Sequence, residues 1–535
     1  MSVLLAAVVF GCAAVLLIFN ESGEWRYIAA SGSSGHVYTY NEYEKRLFLG
    51  AADVPRGSRV YITGETYTEN SVEYSVIQYN GETYYTPAAY LAESPADTVL
   101  ESELWVKTSS CLFREISGAG IAAFVKKGER VDVTGYDTLN PDGTVKAYRV
   151  SAKGSEGWIS ASYVTDSKDD ALEIYHPVYA IHSGREYTSE LYSGSTKDLD
   201  WFPVEKKEFE NNPVLTDLRG MYICESALPG ADSYVSLAGS SGINAAVIDI
   251  KDGTLLCPFE AASEYAPETR FLYSASDASA FIGKLRDAGL YIILRINVFE
   301  DEAFAKAHPE EAISSDLLTE PVTSPYSRLA WEYNVSLALE AVEKFSPDEI
   351  MFDQVRFPVN ALELSEDPST DFGNTYDEGK GEAIQNFVRY ACDVIHQREV
   401  YVSVMVSEYC VSKYITAAGQ YLPAISNIAD AVCPTPFIDN GGNSEEYWED
   451  AYTIISTWAE RCAARQSETE SPALCRVWLT GADIPYWKPV IEIDSDYADS
   501  EIRGLRSWGL DDGYMFWNDD SDIEIYQKIK SSWSY

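Results

Sequence analysis

The sequence predicts a multidomain chain that ends in an α/β barrel of eight strands, preceded by small all-β barrel modules and one N-terminal transmembrane helix. Three observations predict this architecture. The chain has 535 residues, a length that suggests roughly three domains. From residue 217 onward, apolar runs of strand length alternate with helical patterns. Two shorter β-rich segments precede this alternation, and an uncharged apolar run opens the chain.

The amino terminus, residues 1–20, is predicted to be a membrane anchor. Its apolar run, VLLAAVVFGCAAVLLIF at residues 3–19, would span roughly 25 Å as a helix. No Lys or Arg precedes this run and no small-residue cleavage site follows it, so an uncleaved transmembrane anchor is favoured over a signal peptide. The Gly-, Ser- and Tyr-rich residues 20–45 are interpreted as a spacer.

Two β-rich modules are predicted at residues 46–92 and 103–165, and they repeat each other. The motifs that end them, YYTPAAYL and GWISASYV, have the same aromatic spacing, which indicates an internal repeat. Alternating apolar runs separated by Gly and Asn-Pro-Asp-Gly turns are typical of a small β-barrel. A connector at residues 166–216 joins the second module to the C-terminal domain.

The second module resembles the bacterial Src-homology-3-like domain. The resemblance is carried by KGE at 127–129, YRV at 148–150 and GWI at 157–159, followed by Tyr163. It implies binding of cell-wall material or a role as a spacer in a surface protein. The first module departs from this pattern because Tyr-Tyr stands in place of Gly-Trp, so it is predicted to be a divergent copy.

Eight apolar runs are predicted to form the barrel of the domain at residues 217–535. These runs are 220–224, 244–250, 291–298, 349–352, 401–407, 429–433, 475–479 and 513–517. The clearest helical patterns between them are 277–288, 330–345, 382–396, 445–464 and 494–508. Eight strands with intervening helices predict a (β/α)8 barrel of the TIM type. An open doubly wound sheet is the alternative, although no Gly-rich phosphate turn follows the first strand.

Composition excludes several kinds of partner. The chain carries 84 acidic and 40 basic residues, a net charge of −44, which repels phosphate backbones, so we expect no nucleic acid partner. Its nine cysteines and five histidines are dispersed, without the spacing of a zinc site. Since the sequence also contains no Gly-rich nucleotide loop, we expect no metal and no obligatory cofactor.

The segment SPDEIMFDQVRFPVN, residues 346–360, supplies the first catalytic candidate. Its apolar run stops at Asp353, with Arg356 close behind. An ionised carboxylate at the end of a buried strand is costly unless it is paired or faces a polar cavity. Active sites of α/β barrels are built at the strand ends, so Asp353 is predicted to be catalytic. An Asp353–Arg356 ion pair that closes the strand is the alternative.

Other polar residues also follow the predicted strands. Alternation places Asp249 and Lys251 on one face of the second strand, and an inward orientation would bring Asp249 to the same mouth as Asp353. The remaining candidates at strand ends are Arg295, Arg356, Glu408, Asp439, Trp517 and Asn518.

Two carboxylates across a cleft, with aromatic residues to stack on sugar rings, predict glycoside hydrolysis. One carboxylate attacks the sugar or activates water, while the other donates a proton to the leaving oxygen. A cation between them can hold one acid ionised. The predicted catalytic residues are Asp353, Glu408 and Asp249, and the predicted substrate-binding residues are Lys251, Arg295, Arg356, Asp439, Trp517 and Asn518.

Several motifs of the barrel domain resemble those of a bacterial family of glycoside hydrolase type with an eightfold barrel. They are RGMYI, INAAVIDIKDG, YIILRINVFEDEAFAKAHPE, DEIMFDQVRFP and GYMFWN, and the resemblance covers nearly all of residues 217–535. It implies a glycosidase-type barrel with a carboxylate at the Asp353 position. It also implies polar residues in the barrel mouth at Asp249, Lys251, Arg295 and Arg356.

The sequence departs from that family after the fifth and sixth strands. Met405 stands where the family usually shows an Asp, and the element after the sixth strand is reduced to CPTPF. The general acid is therefore left open between Glu408 and Asp439. A surface protein that binds glycan in the barrel without cutting it is the alternative.

The sequence as a whole predicts an extracytoplasmic glycoside hydrolase held by a single-pass anchor in the cell membrane. Its expected substrate is a cell-wall or exopolysaccharide glycan, which makes polysaccharide or peptidoglycan the predicted partner and the membrane a second one. A secreted enzyme is the alternative localisation if residues 1–20 are cleaved.

Overall fold

The computed structural model of the chain describes residues 24–29, 34–98, 103–137, 145–175, 193–412, 414–436, 450–483 and 491–534. The predicted transmembrane anchor at residues 1–20 lies outside the described residues. Within those ranges, no helix combines the length and the apolar composition that crossing a bilayer requires. The chain divides into two compact units, the first formed by Met1–Ile116 with Ala122–Glu173 and the second by Ser117–Ile121 with Ile174–Tyr535.

The first unit contains two seven-stranded sheets. The strands of the first sheet are β1 Glu24–Ile28, β2 Ser34–Asn41, β3 Arg46–Pro55, β4 Arg59–Glu69, β5 Val72–Tyr79, β6 Glu82–Pro87 and β7 Leu91–Ala92. The strands of the second sheet are β8 Glu103–Val106, β9 Ser110–Phe113, β10 Ile121–Val125, β11 Arg130–Tyr136, β12 Ala147–Ala152, β13 Ser155–Ser160 and β14 Val164–Thr165. A short helix, α1 Lys168–Ala171, follows.

The two sheets have the same strand order. The first runs β3-β2-β6-β5-β4-β1-β7 and the second runs β10-β9-β13-β12-β11-β8-β14, so each strand has its counterpart seven strands later. Each sheet also encloses its own cluster of buried apolar side chains. The predicted internal repeat is therefore confirmed, while the Src-homology-3-like assignment stays a prediction.

The first sheet begins before the predicted module boundary at residue 46. Strands β1 and β2 lie within residues 20–45 and pair with β4 and β6. The interpretation of these residues as a spacer is wrong, because Ile28 and Val37 are buried in the core of the module. Their flanking Gly, Ser and Tyr residues give a loop-like composition to a segment that contains two strands.

The second unit contains a nearly closed barrel of parallel strands. They are β15 Leu218–Ile223, β16 Ala245–Asp252, β18 Tyr291–Asn297, β21 Glu349–Asp353, β22 Tyr401–Ser407, β23 Ala431–Thr435, β24 Leu474–Cys475, β25 Val477–Thr480 and β26 Gly513–Trp517, with the short strands β17 Thr254–Leu255, β19 Ala312–Ile313 and β20 Val322–Thr323 outside this path. The path runs β24-β23-β22-β21-β18-β16-β15-β26-β25. Its two end segments, β24 and β25, are separated by Arg476 alone.

Helices lie between the barrel strands. They are α2 Ala231–Ala238, α3 Glu260–Tyr265, α4 Ala275–Asp287, α5 Glu302–Ala307, α6 Arg328–Phe345, α7 Ala361–Glu366, α8 Lys380–Ile395, α9 Leu422–Ser426, α10 Ala451–Gln466, α11 Ser495–Arg506 and α12 Ile523–Lys528. All eight predicted strand runs coincide with strands of the barrel to within a few residues, the seventh being split into β24 and β25. The coarse prediction of an α/β barrel is therefore confirmed.

The inside of the barrel is a packed apolar core. All strands of the ring except the two-residue β24 contribute inward side chains to one buried cluster, which includes Leu218, Tyr222, Ala245, Val247, Ile293, Met351, Met405, Cys433, Trp478 and Met515. Because this core fills the middle of the barrel, polar groups are confined to the two ends of the strands.

The predicted connector at residues 166–216 is partly integrated into the second unit, whose long segment starts at Ile174. Leu199 and Trp201 pack with Ile415 and Tyr421, which belong to loops of the barrel unit. This packing brings the end of the connector to the side of the barrel that carries the cleft described below.

Candidate active site

A cleft of about 690 Å³ opens where β21 and β22 end. Its polar and charged lining residues are Ser193, Arg295, Asp353, Gln354, Arg356, Ser407, Glu408, Ser412, Thr416, Gln420 and Thr435, and its aromatic lining residues are Tyr409, Tyr414 and Trp517. A volume in this range is typical of a site for a ligand of several rings. Asp353 and Glu408 are the two carboxylates among the described residues of this lining.

Asp353 lies at the end of β21 with its carboxylate held by three N–H donors. Arg295 donates to Oδ2 from Nε at 2.9 Å and from Nη2 at 2.6 Å, and the backbone N–H of Gln354 donates to Oδ1 at 2.6 Å. All three contacts are donated to the carboxylate, so both of its oxygens act as acceptors. The side chain is 9% exposed, and that exposed part faces the cleft.

Arg295 joins Asp353 to two further carboxylates. Its Nη1 donates to Asp249 Oδ1 at 2.7 Å and to Asp252 Oδ2 at 3.1 Å, while its other nitrogens bind Asp353. One guanidinium thus serves three acids, and their charges raise the pKa of Arg295 above its ordinary value although burial acts in the opposite direction. The planar, five-donor fork of arginine makes this bridging possible, whereas lysine has no such geometry.

Asp249 is buried beneath Arg295 and does not line the cleft. It is 1% exposed, and burial raises its pKa from 3.8 to about 6 even though Arg295 and the hydroxyl of Tyr222 lower it. The Tyr222 hydroxyl donates to its second oxygen, and the Tyr222 ring stacks on Trp517 at 4.2 Å. Trp517 in turn lies 5.0 Å from the Arg295 guanidinium. Asp249 therefore holds Arg295 in position rather than reaching substrate.

Strand alternation explains this gathering of side chains. Val247 and Met351 point into the barrel core, so Asp249 and Asp353, two residues further along their strands, point the same way. Asp249 is paired in register with Arg295, and Asp353 with Asn297 on the same strand as Arg295. Both acids therefore point into the barrel, but of the two predicted to reach the same mouth only Asp353 lines the cleft, while Asp249 is buried beneath Arg295.

The residue after Asp353 has an unusual backbone conformation. Gln354 has φ of 52°, in the left-handed region that residues with a side chain rarely adopt. This turn ends β21 and aims the Gln354 N–H at the Asp353 carboxylate. Such strain is concentrated at functional sites, where the surrounding structure maintains it.

Glu408 and Arg356 are also at the cleft, as predicted. Glu408 directly follows β22 and begins a short 3-10 turn, Glu408–Val411, on the cleft wall. Arg356 does not pair with Asp353; it donates to Glu300 at 2.8 Å instead. The alternative of an Asp353–Arg356 ion pair is therefore wrong. Arg295, which is more buried than Arg356, binds the Asp353 carboxylate instead. Met405, which lines the floor of the cleft, belongs to the apolar core.

Lys251 is turned away from the cleft, so its predicted role in substrate binding is not supported. A register shift between Asp249 and Lys251 pairs Lys251 with Ile296, the neighbour of Arg295 on the other face of β18. The Lys251 ammonium then binds Asp301 at 2.6 Å, the Asn297 carbonyl at 2.7 Å and the Asn334 side chain at 2.9 Å. One ion pair and two hydrogen bonds thus engage the ammonium within the protein.

Asn518 is a structural residue, which corrects its predicted role. It is 2% exposed, its side-chain amide donates to the Gly481 carbonyl at 2.8 Å, and its oxygen accepts from the Asp522 N–H at 3.1 Å. Both of its polar atoms thus fasten the loop after β26. Asp439, the other predicted substrate-binding acid, lies outside the described residues.

Several residues of the site were missed in the sequence. Tyr222 and Asp252 complete the contacts around Asp249 and Arg295, and only the three-dimensional arrangement reveals them. Tyr409 and Tyr414 line the cleft with 55% and 53% of their surface exposed. Two tyrosines shortly after the fifth strand were a usable signal, because aromatic residues at strand ends of a barrel suit sugar stacking.

The described part of the chain contains no group of three His, Cys, Asp or Glu side chains arranged to hold a metal ion. The acids around Arg295 already share its guanidinium, which supplies the positive charge there.

A parallel barrel with a cleft whose described lining includes two carboxylates and three aromatic residues has the features that a glycosidase requires. The family comparison agrees, since the model of the "Putative glycosyl hydrolase domain" family matches residues 220–522, more than half of the chain. The chain therefore belongs to this family, and the predicted glycosidase class is confirmed at the level of the family.

Three solved structures illustrate the similarity to known folds. A hypothetical protein from Ruminiclostridium thermocellum is 27% identical, covering 34% of this chain and 96% of its own, with a TM-score of 0.29. The glycoside hydrolase domain of PgaB (BpsB) from Bordetella bronchiseptica is 13% identical, covering 59% and 99%, with a TM-score of 0.42. The C-terminal domain of a "putative chitinase" from Desulfitobacterium hafniense is 10% identical, covering 59% and 98%, with a TM-score of 0.39. No curated protein matches this chain.

Proposed function

We propose that the chain is an extracytoplasmic glycoside hydrolase, anchored by residues 1–20, that cleaves a cell-wall or exopolysaccharide glycan in the cleft at the end of its barrel. The observation that carries the proposal is the position of Asp353. It ends the fourth strand of the ring, its carboxylate faces the cleft, and a second carboxylate, Glu408, lines the same cleft. The membership in a glycosyl hydrolase family supports it.

Asp353 acts in this proposal as the ionised carboxylate of the pair. Its three donor partners leave it an acceptor, so it attacks the anomeric carbon, activates water or stabilises positive charge on the sugar. Arg295 fixes the carboxylate in place, and Asp249 and Tyr222 fix Arg295. Such support from neighbouring residues holds a catalytic group in the orientation that the transition state requires.

Glu408 is the proton donor in this proposal. It is partly exposed on the cleft wall and begins a turn instead of ending a strand. A carboxyl group in that position reaches the oxygen that leaves with the departing sugar. Tyr409, Tyr414 and Trp517 supply the ring faces on which sugar units stack.

We infer further that the barrel is eightfold, with β24 and β25 as one interrupted strand. Arg476, the single residue between them, donates its backbone N–H to the Val432 carbonyl at 3.0 Å, so the hydrogen bonding to β23 continues through the break. In an eightfold barrel of this type, Asp353 lies at the catalytic end of the strands.

The test compares the purified wild type with Asp353→Asn and Glu408→Gln on a panel of wall and capsular polysaccharides and on aryl glycosides. Asp353→Asn is expected to lower kcat/KM by about 10³-fold on every substrate. Glu408→Gln is expected to lower it by about 10²-fold on polysaccharides but much less on aryl glycosides, whose leaving groups need no proton. Product analysis by mass spectrometry measures both effects.

The control is Glu363→Gln, which neutralises an exposed acid on α7 next to Leu362 of the cleft lining. It is expected to match the wild type. Equal activity of Asp353→Asn and wild type would remove Asp353 from the mechanism. If Glu408→Gln has the same kcat/KM as the wild type, another residue is the general acid, and Asp439 is the first to test.

A second candidate function is favoured by Met405. This residue stands where the sequence resemblance predicts an acid, and the structure packs it into the apolar core at the floor of the cleft. A barrel with this floor could bind glycan without cutting it. In a pull-down with insoluble polysaccharide, such a protein retains full-length polymer, and no product forms with the wild type on any substrate of the panel.

A further inference from the structure

A surface formed by five tyrosines covers one face of the first seven-stranded sheet. We call it the tyrosine surface, and it consists of Tyr38 and Tyr40 on β2, Tyr67 on β4, Tyr74 on β5 and Tyr85 on β6. The rings contact each other edge to face or tilted, with centroid distances of 5.4 Å for Tyr38–Tyr74, 5.3 Å for Tyr40–Tyr67, 6.0 Å for Tyr40–Tyr85 and 6.1 Å for Tyr67–Tyr85. All five side chains are partly exposed.

The tyrosine surface lies on the face of the sheet opposite the core of the module. Ile77 and Tyr84, which alternate with Val76 and Tyr85, pack in that core, so Val76 and Tyr85 point outward. Val76 is nevertheless only 5% exposed. Val76 shares the outer face with Tyr85, with which it is paired in register, so this face is covered at that position.

The second module shows that its fold does not require such a surface. In both modules the sixth strand pairs with the fifth, through Val76 and Tyr85 in the first and through Arg149 and Trp158 in the second. Arg149 of the second module therefore occupies the position that Val76 has in the first module. Arg149 is exposed and forms an ion pair with Glu156 at 2.6 Å. The second module keeps aromatic residues only at the positions of Tyr38 and Tyr85, which are Phe113 and Trp158. The same strand order is therefore stable with a charged pair beside them, and the fold alone does not require the full set of five tyrosines.

Carboxylates surround the tyrosine surface. The pKa of Tyr85 is raised above its ordinary value first by burial and then by the negative charges of Glu65 and Glu42. The pKa of Tyr67 is also raised, first by burial and then by the negative charge of Glu69. A ligand that carries negative charges would be repelled by these acids.

We propose that the tyrosine surface binds a polysaccharide that carries no negative charge, either a neutral polymer or one with amino sugars. Phenol rings present apolar faces to the C–H groups of a sugar ring, and their hydroxyl groups hydrogen-bond to its polar edge. Protonated amino groups of a sugar gain additional attraction from the π faces and from the surrounding glutamates. The surface belongs to a different unit from the catalytic cleft, so the proposal does not depend on catalysis there.

The test measures retention of the full-length chain on insoluble chitin, on cross-linked chitosan and on cross-linked polygalacturonate. Wild type is expected to bind chitin and chitosan but not the anionic polymer. The triple variant Tyr38→Ser, Tyr67→Ser, Tyr85→Ser is expected to bind chitin at least about tenfold more weakly, whereas the triple Tyr→Phe variant keeps its rings and stays within about threefold of the wild type. The control Tyr452→Ser removes an exposed tyrosine of α10 and is expected to change nothing.

Unfolding curves and the hydrolysis of soluble oligosaccharides show whether the variants fold. If the triple serine variant does not fold, the single variants Tyr38→Ser and Tyr85→Ser are each expected to weaken binding at least about threefold. Three results overturn the proposal: no retention of the wild type on any of the three polymers, equal retention of a folded serine variant and the wild type, or retention on polygalacturonate as strong as on chitin. Displacement of chitin by a proline-rich peptide would assign the surface to peptides instead.

Discussion

Two buried arginines occupy opposite ends of the same barrel, and their surroundings differ. Arg476, at the beginning of the seventh strand, is completely buried and donates to Glu349 at 2.5 Å and to the Leu215 carbonyl at 2.6 Å. Arg295, near the end of the third strand, serves three carboxylates and borders the cleft. The first cluster therefore balances one cation with one acid, and the second has two acids in excess.

This difference separates a structural role from a functional one. A buried ion pair with matched charges contributes a fixed geometry, and losing one partner leaves the other charged and unsolvated. An excess of acids around one guanidinium is electrostatically costly for the folded chain, yet it leaves one carboxylate directed at the cleft. We therefore expect substitutions at Arg476 to affect stability and substitutions at Arg295 to affect activity.

The largest expected effect comes from Arg476→Met. This variant leaves the Glu349 carboxylate buried without a cation and is expected to lower the free energy of unfolding by about 3–5 kcal/mol. The far-ultraviolet circular dichroism of helices during urea unfolding reports on the barrel, because in the described chain all the α-helices except the four-residue α1 belong to the second unit. Activity per folded molecule is expected to stay near that of the wild type.

The double variant Arg476→Met, Glu349→Leu serves as the control for this prediction. It removes both charges, so it is expected to recover most of the lost stability. If the double variant is as unstable as the single one, loss of packing rather than an uncompensated charge is the cause. If Arg476→Met abolishes activity in folded protein, the proposed separation between the two ends of the barrel is wrong.

The second prediction concerns Arg295→Lys. Lysine keeps the positive charge but cannot bridge three carboxylates, so Asp353 loses its fixed orientation. We expect kcat/KM to fall by about 100-fold, equivalent to about 2.7 kcal/mol, while the free energy of unfolding changes less than in Arg476→Met. Steady-state kinetics on a polysaccharide, with unfolding curves alongside, measure both quantities.

The matched control for Arg295→Lys is Arg356→Lys, at the other arginine of the cleft lining. Arg356 contacts one exposed glutamate, Glu300, so its replacement is expected to change kcat/KM by less than about tenfold. Equal losses in the two variants would mean that the cleft needs positive charge in general and not the particular geometry of Arg295.

The sequence allowed the barrel and the central acid to be predicted for a physical reason. Short apolar runs that alternate with helices identify buried parallel strands, and a carboxylate at the end of such a run must face a polar environment. Asp353 and Asp249 therefore could be placed by alternation alone. The repeat of the two small modules was also visible, because the aromatic spacing at their ends follows from the shared strand order.

The contacts of each side chain could not be predicted in the same way. Lys251 was placed beside Asp249 by simple alternation, and one register shift in β16 turned it to the opposite side of the strand. Arg356 is close to Asp353 in sequence, but Arg295 binds Asp353 from a neighbouring strand 58 residues away. Register shifts and pairings between distant strands depend on the folded sheet, so a single sequence does not reveal them.

The smallest expected effect concerns a third kind of buried carboxylate. Unlike the acids paired with Arg295 and Arg476, this one is hydrogen-bonded to a neutral residue. Glu501 on α11 is 3% exposed and accepts hydrogen bonds from the Thr480 hydroxyl at 2.7 Å and the Thr480 N–H at 3.1 Å. Burial raises its pKa from 4.5 to about 8. Because the pKa is higher in the folded state, the stabilising contribution of the protonated form is complete below about pH 4.5 and is lost as the pH rises towards 8.

Glu501→Gln keeps the shape of the side chain and cannot ionise, so it removes this loss of stability. Relative to the wild type, the variant is expected to gain about 2 kcal/mol in the free energy of unfolding between pH 5 and pH 7. Urea unfolding at both pH values measures the difference, with Glu460→Gln as the control at an exposed position on α10. A gain that does not change with pH would show that Glu501 is already ionised at pH 5. Its burial would then be balanced by a cation, as that of Glu349 is by Arg476.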